Sequence, residues 1–273
     1  PYDVYATAAD FGLSSNGTAE AKSYFASDLC VSEDVAIGTD STDSQVAEGA
    51  GTFNLETNTV VYAKNLYERL YPASTTKILT AYIALKYCDD LDAMVTVSEN
   101  AVNQASDSSV CNLKAGDVIR LRDLLYGLML RSGNDAAVAI AEYISGDVDS
   151  FAALMNQEAA AMGATRSHFV NPNGLPDENH YTCVYDMYLI FSNAIKNDTF
   201  VSIIGTTSYD VTYTDASGEA VTHTWENTNQ YLTGNATTPD GFQIVGGKTG
   251  TTGEAGYCLV LYSYNPSGTA IIS

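Results

Sequence analysis

The chain has 273 residues, 45% of them hydrophobic, which is enough for one large domain with its own core. It carries 12 lysine and arginine residues against 33 aspartate and glutamate residues, a formal net charge of -21. Such a surface repels nucleic acid and anionic membranes, so we expect no nucleic-acid partner, and an anionic ligand would need a locally placed cation.

The predicted elements, in chain order, begin with an extension. Residues 1–47 are rich in Ala, Ser, Asp, Thr and Gly, which predicts a partly helical and flexible N-terminal segment. The next segment, GTFNLETNTVVYAKN, is typical of a β-hairpin. Apolar residues spaced three and four apart then predict a series of helices: 75–88, 121–131, 134–146, 149–162 and 183–196. Strand-like runs return towards the C-terminus: 206–214, 219–225, 243–249, 255–263 and 267–272.

This order of elements indicates the fold class. Strands first, helices in the middle and strands last predict an α/β (α+β) fold, in which an antiparallel sheet is made from both ends of the domain and flanked by helices. We expect this domain to span 48–273, with a helical subdomain inserted at about 88–205. A cleft would lie where the sheet and the helices meet.

The scattered cysteines argue against a metal-binding protein, and the lack of long apolar runs argues against a membrane-spanning one. No C-x-x-C pair and no histidine pattern suited to zinc is present, so we expect no metal and mainly small buried thiols, with one or two disulfides left open. The five cysteines are Cys30, Cys88, Cys111, Cys183 and Cys258. No apolar run approaches the roughly 18 residues of a membrane span, and Pro1 opens the chain without a leader, as if a signal peptide had been removed.

The stretch YPASTTKILTAYIAL places a hydroxyl and an amine at the start of an apolar helix. Ser74 and Lys77 are slightly less than one helical turn apart, so both side chains can point to the same place. A serine becomes a good nucleophile when a base takes its proton, and burial can lower the pKa of a lysine enough for that task. Alternatively, Ser74 is only a helix N-cap and Lys77 a surface lysine.

Two further motifs carry polar side chains on glycine-containing turns. The segment SGN, from Ser132, interrupts two apolar helical stretches, where a hydroxyl and a carboxamide can face a cleft as a proton relay and an amide-binding group. The segment KTG, from Lys248, ends a β-prone run, where a lysine and a hydroxyl can form a carboxylate site. Taken singly, each motif fits a helix break or a glycine-rich hairpin better.

Together the three motifs indicate one class of enzyme. Ser-x-x-Lys, Ser-x-Asn and Lys-Thr-Gly in this order form the motif set of the penicillin-recognising serine enzymes. From about Gly49 to Ser273 the chain resembles the low-molecular-mass penicillin-binding proteins, the D-alanyl-D-alanine carboxypeptidases of peptidase family S11. The matching segments are YAKN, YPASTTKILTAYIAL, LRDLLYGLMLRSGNDAAVAIAEYISG, HFVNPNGLPDENHYTCVYDM, NTNQYL and GGKTGTTGEAGYCLVLYS. The resemblance implies a β-lactamase/transpeptidase-like fold.

The resemblance also implies roles for the residues of the first two motifs. Ser74 would attack the carbonyl of the penultimate D-alanine, and Lys77 would receive its proton. Ser132 would relay a proton to the departing D-alanine nitrogen, and Asn134 would bind the amide of the donor peptide.

The third motif would supply the rest of the site. Lys248 and Thr249 would hold the terminal carboxylate beside Gly250, and Lys248 would help to keep Lys77 neutral. The backbone N–H groups of Ser74 and Thr251 would bind the oxyanion, and water would hydrolyse the acyl-enzyme.

The implied function is that of a serine DD-carboxypeptidase that removes the terminal D-alanine from peptidoglycan stem peptides and is inhibited by β-lactam antibiotics. It would need no cofactor and would act outside the cytoplasm, in the cell wall or at the outer face of the cytoplasmic membrane. Many members of the family carry a further β domain and an amphipathic anchor after the last strand. Membrane attachment through such a segment, absent from this chain, stays open.

The sequence leaves two alternative functions open, a serine β-lactamase and a non-catalytic protein. A serine β-lactamase shares all three motifs, but class A enzymes place a Glu-x-x-x-Asn pattern after Ser-x-Asn. Here the pattern occurs from Glu99 to Asn103, before Ser132, and Glu178 in the downstream loop has no asparagine four residues later. A non-catalytic penicillin-binding or wall-sensing protein would not need the activated nucleophile that Ser74 and Lys77 offer.

The three histidines are expected to be structural. His180, in the segment NPNGLPDENH, would fasten a surface loop near the cleft, and His168 and His223 would have similar roles. No Gly-x-Ser-x-Gly elbow supports a Ser-His-Asp hydrolase.

Overall fold

The computed structural model describes residues 29–32, 36–38 and 46–273. The predicted N-terminal extension, 1–47, therefore lies mostly outside the described residues. Cys30, which is described, is fully buried against α6, defined below. Its backbone N–H donates to the Tyr188 hydroxyl at 2.8 Å, and its carbonyl accepts from the Tyr185 hydroxyl at 2.6 Å.

The described residues form nine strands and eight helices, and five of the helices follow one another in the middle of the chain. The helices are α1 (Lys77–Tyr87), α2 (Glu99–Val102), α3 (Leu121–Leu130), α4 (Asn134–Ser145), α5 (Val148–Ala161), α6 (Val184–Ala194), α7 (Asp198–Ile204) and α8 (Gln230–Thr233). The strands are β1 (Ala50–Asn54), β2 (Thr59–Lys64), β3 (Met94–Thr96), β4 (Val118–Arg120), β5 (Ser208–Thr214), β6 (Ala220–Glu226), β7 (Gln243–Thr252), β8 (Gly256–Tyr264) and β9 (Ala270–Ile272). A 3-10 turn, Ala73–Thr76, leads directly into α1.

The main sheet is antiparallel and is built from both ends of the domain, as predicted. Its strand order is β2-β1-β9-β8-β7, so the N-terminal hairpin joins the C-terminal strands where β1 pairs with β9. The segments 206–214 and 219–225 are strands, but the expectation that they join this sheet is wrong. They form β5 and β6 of a second sheet, of order β3-β4-β5-β6, because β5 pairs with β4 rather than with β7.

Helix α1 lies at the centre of the core and contacts α3, α4, α5 and α6. Five of its apolar residues are fully buried: Ile78, Leu79, Ala81, Ile83 and Ala84. A helix that is apolar on most sides is stable only when other elements surround it. The packing of α1 therefore carries Lys77, its first residue, into the interior of the protein.

Most of the helices lie in the middle of the chain, between the N-terminal and the C-terminal strands of the main sheet. Helices α2–α7 and the short strands β3 and β4 fall within the range expected for the helical subdomain, about 88–205. We propose the same division here, with 48–273 as one domain and the helical subdomain inserted in it.

The described residues contain no group of three metal-ligating side chains that could hold an ion. All five cysteines lie in the described ranges and are free thiols, three of them buried and two half-buried. Among the helices that the structure describes, none is long and apolar enough to cross a membrane.

Candidate active site

The first motif brings a hydroxyl and an amine together at the entrance to α1. Ser74 lies in the 3-10 turn, and the tight turn places it above the first residue of the helix. The distance between Ser74 Oγ and Lys77 Nζ is 3.0 Å. Ala73, immediately before Ser74, has a positive φ of 48°, a conformation that costs a non-glycine residue about 1 to 3 kcal/mol and occurs often at functional sites.

Lys77 is fully buried and its amine is held by carbonyl oxygens. Nζ donates to Asn134 Oδ1 at 2.8 Å and to the backbone carbonyl of Asn173 at 2.6 Å. A neutral amine has two N–H groups and one lone pair. In the neutral form, the two N–H groups can bind these two carbonyl oxygens, which leaves the lone pair for the hydroxyl of Ser74.

The electrostatics of the site favour that neutral amine. Burial holds the pKa of Lys77 well below its usual range, and the positive charge of Lys248 lowers that pKa further. Cys111 and Asp135 raise it by smaller amounts. A lysine with a lowered pKa gives up its proton more readily than an ordinary lysine and is therefore a better candidate for a base.

The second motif forms the turn between α3 and α4. Ser132 and Asn134 are both 5% exposed, and Ser132 has a positive φ of 60°. The hydroxyl of Ser132 accepts from Lys248 Nζ at 3.0 Å. Since Asn134 Oδ1 accepts from Lys77, the amide nitrogen of Asn134 is left to donate to a ligand. A side chain at Gly133 would not fit, because its Cβ would lie 2.4 Å from Cys111 Sγ.

A buried carboxylate that the sequence analysis missed fixes this turn. Asp135 is 1% exposed and accepts from the backbone N–H of Cys111 at 2.9 Å, of Leu113 at 3.1 Å and of Ala136 at 2.9 Å. These bonds tie the segment before β4 to the first turn of α4. The position of Asn134 therefore depends on its neighbour.

The third motif lies on β7, beside the nucleophile. Lys248 is 1% exposed, and burial lowers its pKa to about 7. The Thr249 hydroxyl lies 2.6 Å from the hydroxyl of Thr228. Gly250 allows β7 to pass close to the nucleophile, because a Cβ there would lie 3.0 Å from Ser74 N. Thr251 is exposed, and its hydroxyl donates to the Gly250 carbonyl at 2.7 Å.

The loop between α5 and α6 completes the wall around Lys77. It supplies the carbonyl of Asn173, and the carbonyl of Pro172 accepts from Thr80 at 2.7 Å. His180 Nδ1 accepts from the Val170 N–H at 3.1 Å, and its Nε2 lies 2.9 Å from the Thr76 hydroxyl. The prediction that His180 fastens this loop is confirmed.

The expectation of a surface loop is confirmed for residues 175–179, which are exposed, but is wrong at the two ends of the segment, 172–174 and 180, which are buried. Asn173 and His180 are 4% and 1% exposed, and burial lowers the pKa of His180 to about 4. The imidazole is therefore neutral at physiological pH. His168 is exposed, and its Nδ1 contacts the carbonyl of Asn179 at 2.6 Å.

Gly174, in this loop, packs against the turn that carries Ser74, and it gives a first prediction. Its φ is 89°, and a Cβ there would lie 1.8 Å from the carbonyl oxygen of Ala73. Gly174→Ala is expected to displace the turn that carries Ser74 and to slow covalent labelling by a fluorescent penicillin at least tenfold.

The matched control for this prediction is Gly163→Ala. Gly163 has a similar φ of 84°, but the nearest atom to its Cβ would be 3.7 Å away. We expect Gly163→Ala to lower the free energy of unfolding only by the cost of a left-handed backbone conformation, roughly 1 to 2 kcal/mol, which denaturant unfolding would measure. We expect it to label at the normal rate. Equal labelling rates in the two variants would show that Gly174 does not position Ser74.

The structure brings all the predicted site residues to one place, between the entrance of α1, the α3–α4 turn and β7. A serine hydroxyl 3.0 Å from a buried lysine amine, with a second serine and lysine pair nearby, is the arrangement that a serine acyl-transfer enzyme with a lysine base requires. The α+β fold around it is that of the penicillin-binding proteins.

Comparison with known proteins agrees with this class. The family model described as D-alanyl-D-alanine carboxypeptidase, Peptidase S11, matches residues 38–272. The chain is 36% identical over 235 residues to a D-alanyl-D-alanine carboxypeptidase of Streptomyces sp. (strain K15), covering 82% of this chain and 79% of that protein. A crystal structure of the Streptomyces K15 DD-transpeptidase has a TM-score of 0.76 at 35% identity, covering 83% of this chain and 87% of the other. The chain belongs to the S11 family of D-alanyl-D-alanine carboxypeptidases.

Some relatives are much longer than the matched region. D-alanyl-D-alanine carboxypeptidase DacF of Bacillus subtilis (strain 168) is 35% identical over 218 residues, which is 78% of this chain but 53% of the relative. The chain thus spans about half the length of that protein.

Proposed function

We propose that the chain is a serine DD-carboxypeptidase that removes the terminal D-alanine from peptidoglycan stem peptides. The observation that carries the proposal is the contact between Ser74 Oγ and Lys77 Nζ, in which the amine has already given both N–H groups to carbonyl oxygens. Such an enzyme acts outside the cytoplasm, in the cell wall or at the outer face of the cytoplasmic membrane, and is inhibited by β-lactams. A membrane-anchoring segment, if the full protein has one, would act alongside this domain.

The proposed acylation step begins at the Ser74–Lys77 pair. Lys77 takes the proton of the Ser74 hydroxyl as Oγ bonds to the carbonyl carbon of the penultimate D-alanine. The backbone N–H groups of Ser74 and Thr251 bind the oxyanion that develops on the carbonyl oxygen. Asn134 donates its amide N–H to the donor peptide and holds the acyl group in place.

Release of the first product uses the second serine. The leaving D-alanine needs a proton on its nitrogen, and the Ser132 hydroxyl, 3.0 Å from Lys248 Nζ, is placed to relay it. Lys248 and Thr249 hold the carboxylate of the same D-alanine, with the Gly250 backbone beside it. Water then attacks the acyl-enzyme and regenerates the Ser74 hydroxyl.

The direct test is incubation with a peptide that ends in D-Ala-D-Ala, with free D-alanine as the readout. We expect D-alanine release in proportion to enzyme, and none after prior treatment with penicillin. Absence of release from every such peptide would refute the proposed activity. The Streptomyces structure is named a DD-transpeptidase, so an added amine acceptor belongs in the assay, and capture of the acyl group by the amine would favour that second function.

A second prediction separates this function from that of a β-lactamase. Within the described residues no carboxylate is hydrogen-bonded to Ser74 or Lys77, and the loop that packs there contributes the Asn173 carbonyl to Lys77 and the neutral His180 to Thr76 instead. Without a base dedicated to deacylation, we expect the penicilloyl group to stay on the protein for minutes to hours, as intact-protein mass spectrometry can detect. Rapid clearance, with many penicillins hydrolysed each second, would favour the β-lactamase.

A third prediction concerns the carboxylate. Lys248→Ala is expected to weaken processing of peptides with a free terminal carboxylate far more than of the matched C-terminal amides, because a charge-assisted hydrogen bond contributes about 1.5 to 3 kcal/mol. The measurement is the ratio of kcat/KM for the two peptides. Lys114→Ala, which removes an exposed lysine near β4, is the control and should preserve the ratio. Equal losses on both peptides would refute the carboxylate role.

A further inference from the structure

Asp135 is a buried carboxylate close to the base, and the chemistry proposed above gives it no role. It is 1% exposed, and both of its oxygen atoms accept from backbone N–H groups, the pattern of an ionised carboxylate. Among the residues that the structure describes, no lysine or arginine forms an ion pair with it. Burying a charge without a counter-ion is costly. The charge itself is therefore a candidate for a role in the reaction.

The carboxylate lies inside the turn that carries the Ser-x-Asn motif. A Cβ on Gly133 would lie 2.8 Å from Asp135 Oδ1, so the carboxylate packs against the middle residue of the motif. Asn134 directly precedes Asp135, and its Oδ1 accepts from Lys77 Nζ at 2.8 Å. Tyr213, on β5, lies within electrostatic reach of the carboxylate but stays neutral, since burial raises its pKa. The charge of Asp135 therefore acts on the base through the protein interior, where water screens it weakly.

Groups from four parts of the fold act on the amine of Lys77. Burial lowers the pKa of Lys77 most, and the positive charge of Lys248 on β7 lowers it further. Cys111, before β4, and Asp135, on α4, raise that pKa. The Cys111 thiol is neutral because burial raises its pKa well above the usual range, and His180, in the loop between α5 and α6, is neutral because burial lowers its pKa to about 4. Asp135 thus supplies the negative charge among these groups.

The proposed reaction changes the balance of these charges. In the resting site Lys248 is positive, Asp135 is negative and Lys77 is neutral. When Oγ of Ser74 bonds to the carbonyl carbon, its proton moves to Lys77 Nζ and an electron pair of the carbonyl bond moves to the oxygen, which becomes the oxyanion. Two ammonium groups then lie in the same buried site. A fixed carboxylate nearby stabilises that state more than it stabilises the resting site.

We propose that Asp135 is a positioning residue with two effects on acylation. Its bonds to backbone N–H groups hold Asn134 against Lys77, and its negative charge offsets the positive charge that Lys77 gains when it takes the proton of Ser74. The proposal rests on the DD-carboxypeptidase function and adds to it a residue that acts on the reacting atoms only through Asn134 and Lys77.

The test is the pH profile of covalent labelling by penicillin in Asp135→Asn. Without the negative charge Lys77 holds a proton less tightly, so the acid limb, where the rate constant rises as Lys77 becomes neutral, should move to lower pH. The rate constant at the maximum should fall by about tenfold, because a weaker base removes the proton of Ser74 more slowly. The alkaline limb reports Lys248, whose pKa is lowered by burial, and should stay in place.

The direction in which the acid limb moves separates a charge effect from a loss of structure. A substitution that only loosened the turn would let water reach Lys77, which weakens the effect of burial on its pKa, and the acid limb would move to higher pH. An acid limb that stays in place or moves to higher pH in Asp135→Asn would overturn the proposal.

Three further variants control for the change of side chain. Asp117→Asn is the matched control, because Asp117 is also 1% exposed and accepts from the Lys114 N–H at 2.8 Å but is not among the charges that act on Lys77. Its acid limb should match that of the wild type, and a shift as large as in Asp135→Asn would overturn the charge effect. Asp135→Glu keeps the charge and should restore the acid limb. If Asp135→Asn does not fold, Asp135→Ser, an uncharged hydrogen-bond acceptor, takes its place with the same expected shift.

A direct titration keeps this result separate from the proposed activity. NMR of protein that contains isotope-labelled lysine follows the protonation of Lys77, whose signal is assigned by its loss in Lys77→Gln. We expect Lys77 to take up its proton at lower pH in Asp135→Asn than in the wild type. That shift, with no D-alanine release by the wild type, would support the role of Asp135 and refute the activity. Identical titrations of Lys77 in the two proteins would overturn the proposal whatever the activity.

Discussion

Ser74→Ala is expected to abolish covalent attachment of penicillin and to reduce D-alanine release at least about ten-thousand-fold, the scale seen when a nucleophile that acts as a unit with its base is removed. The fold should be unaffected, because the hydroxyl makes one hydrogen bond, to Lys77, and contributes little packing. Intact-protein mass spectrometry after incubation with penicillin measures the first effect. Thermal unfolding measures the second, and the midpoint should match the wild type.

A second serine–lysine pair in the same site is the alternative to the assignment of Ser74 as the nucleophile. Ser132 also lies 3.0 Å from a buried lysine, Lys248, so the protein has two serine–lysine pairs with the same separation. The two differ in electrostatics: the pKa of Lys248 is about 7, whereas that of Lys77 is lowered by burial and by the charge of Lys248. The charge of Lys248 therefore favours the neutral form of Lys77, the form that can act as a base.

Peptide mapping of the adduct therefore distinguishes the two serines. We expect penicillin on Ser74 in the wild type and in Ser132→Ala, where labelling should be slower because the leaving group lacks its proton relay. A stable adduct on Ser132 in the Ser74→Ala variant would show that the nucleophile assignment is wrong.

The long helices could be predicted from the sequence because each has a sustained apolar period. The segments 121–131 and 134–146 correspond to Leu121–Leu130 and Asn134–Ser145 within one residue at each end. The second sheet could not be predicted in this way. Its strands β3 and β4 have three residues each, too few to show an alternation, and β5 joins β4 through the single pair Val118 and Thr214.

Some residues of the candidate site could likewise be predicted from the sequence, and others could not. The three motifs predicted which side chains meet, since each places its polar group at the end of an apolar element. The carbonyl of Asn173 could not be predicted, because a backbone oxygen has no sequence signature and its contact with Lys77 depends on a loop nearly a hundred positions away. Asp135 resembles an ordinary acidic residue in the first turn of a helix. Its burial and its bonds to the segment near Cys111 become visible only in the folded chain.

The pH dependence of acylation should report the charges of both lysines. In the proposed mechanism, acylation by penicillin needs Lys77 neutral and Lys248 charged. As pH falls, Lys77 takes up a proton and loses its function as a base, but its lowered pKa moves this loss far below the usual lysine range. As pH rises through about 7, Lys248 in the free enzyme loses the charge that binds the carboxylate. The second-order rate constant should therefore rise from acid pH as Lys77 becomes neutral, pass a maximum, and fall as Lys248 loses its charge.

Lys77→Gln should have the larger effect of the two lysine substitutions. Glutamine can keep hydrogen bonds to the surrounding carbonyl groups but cannot accept a proton, and general-base catalysis contributes roughly a hundred- to ten-thousand-fold, so we expect labelling of Ser74 to slow by about a thousandfold. The rising limb of the pH profile should disappear with it. Lys86→Gln is the control: it lies on the same helix, but its amine pairs with Glu158 at 2.6 Å, away from Ser74. If Lys77→Gln unfolds at a lower temperature, Lys77→Met provides a second variant that retains the volume without the amine. A rate of labelling in either variant that is near that of the wild type, with the rising limb intact, would assign the base to another group.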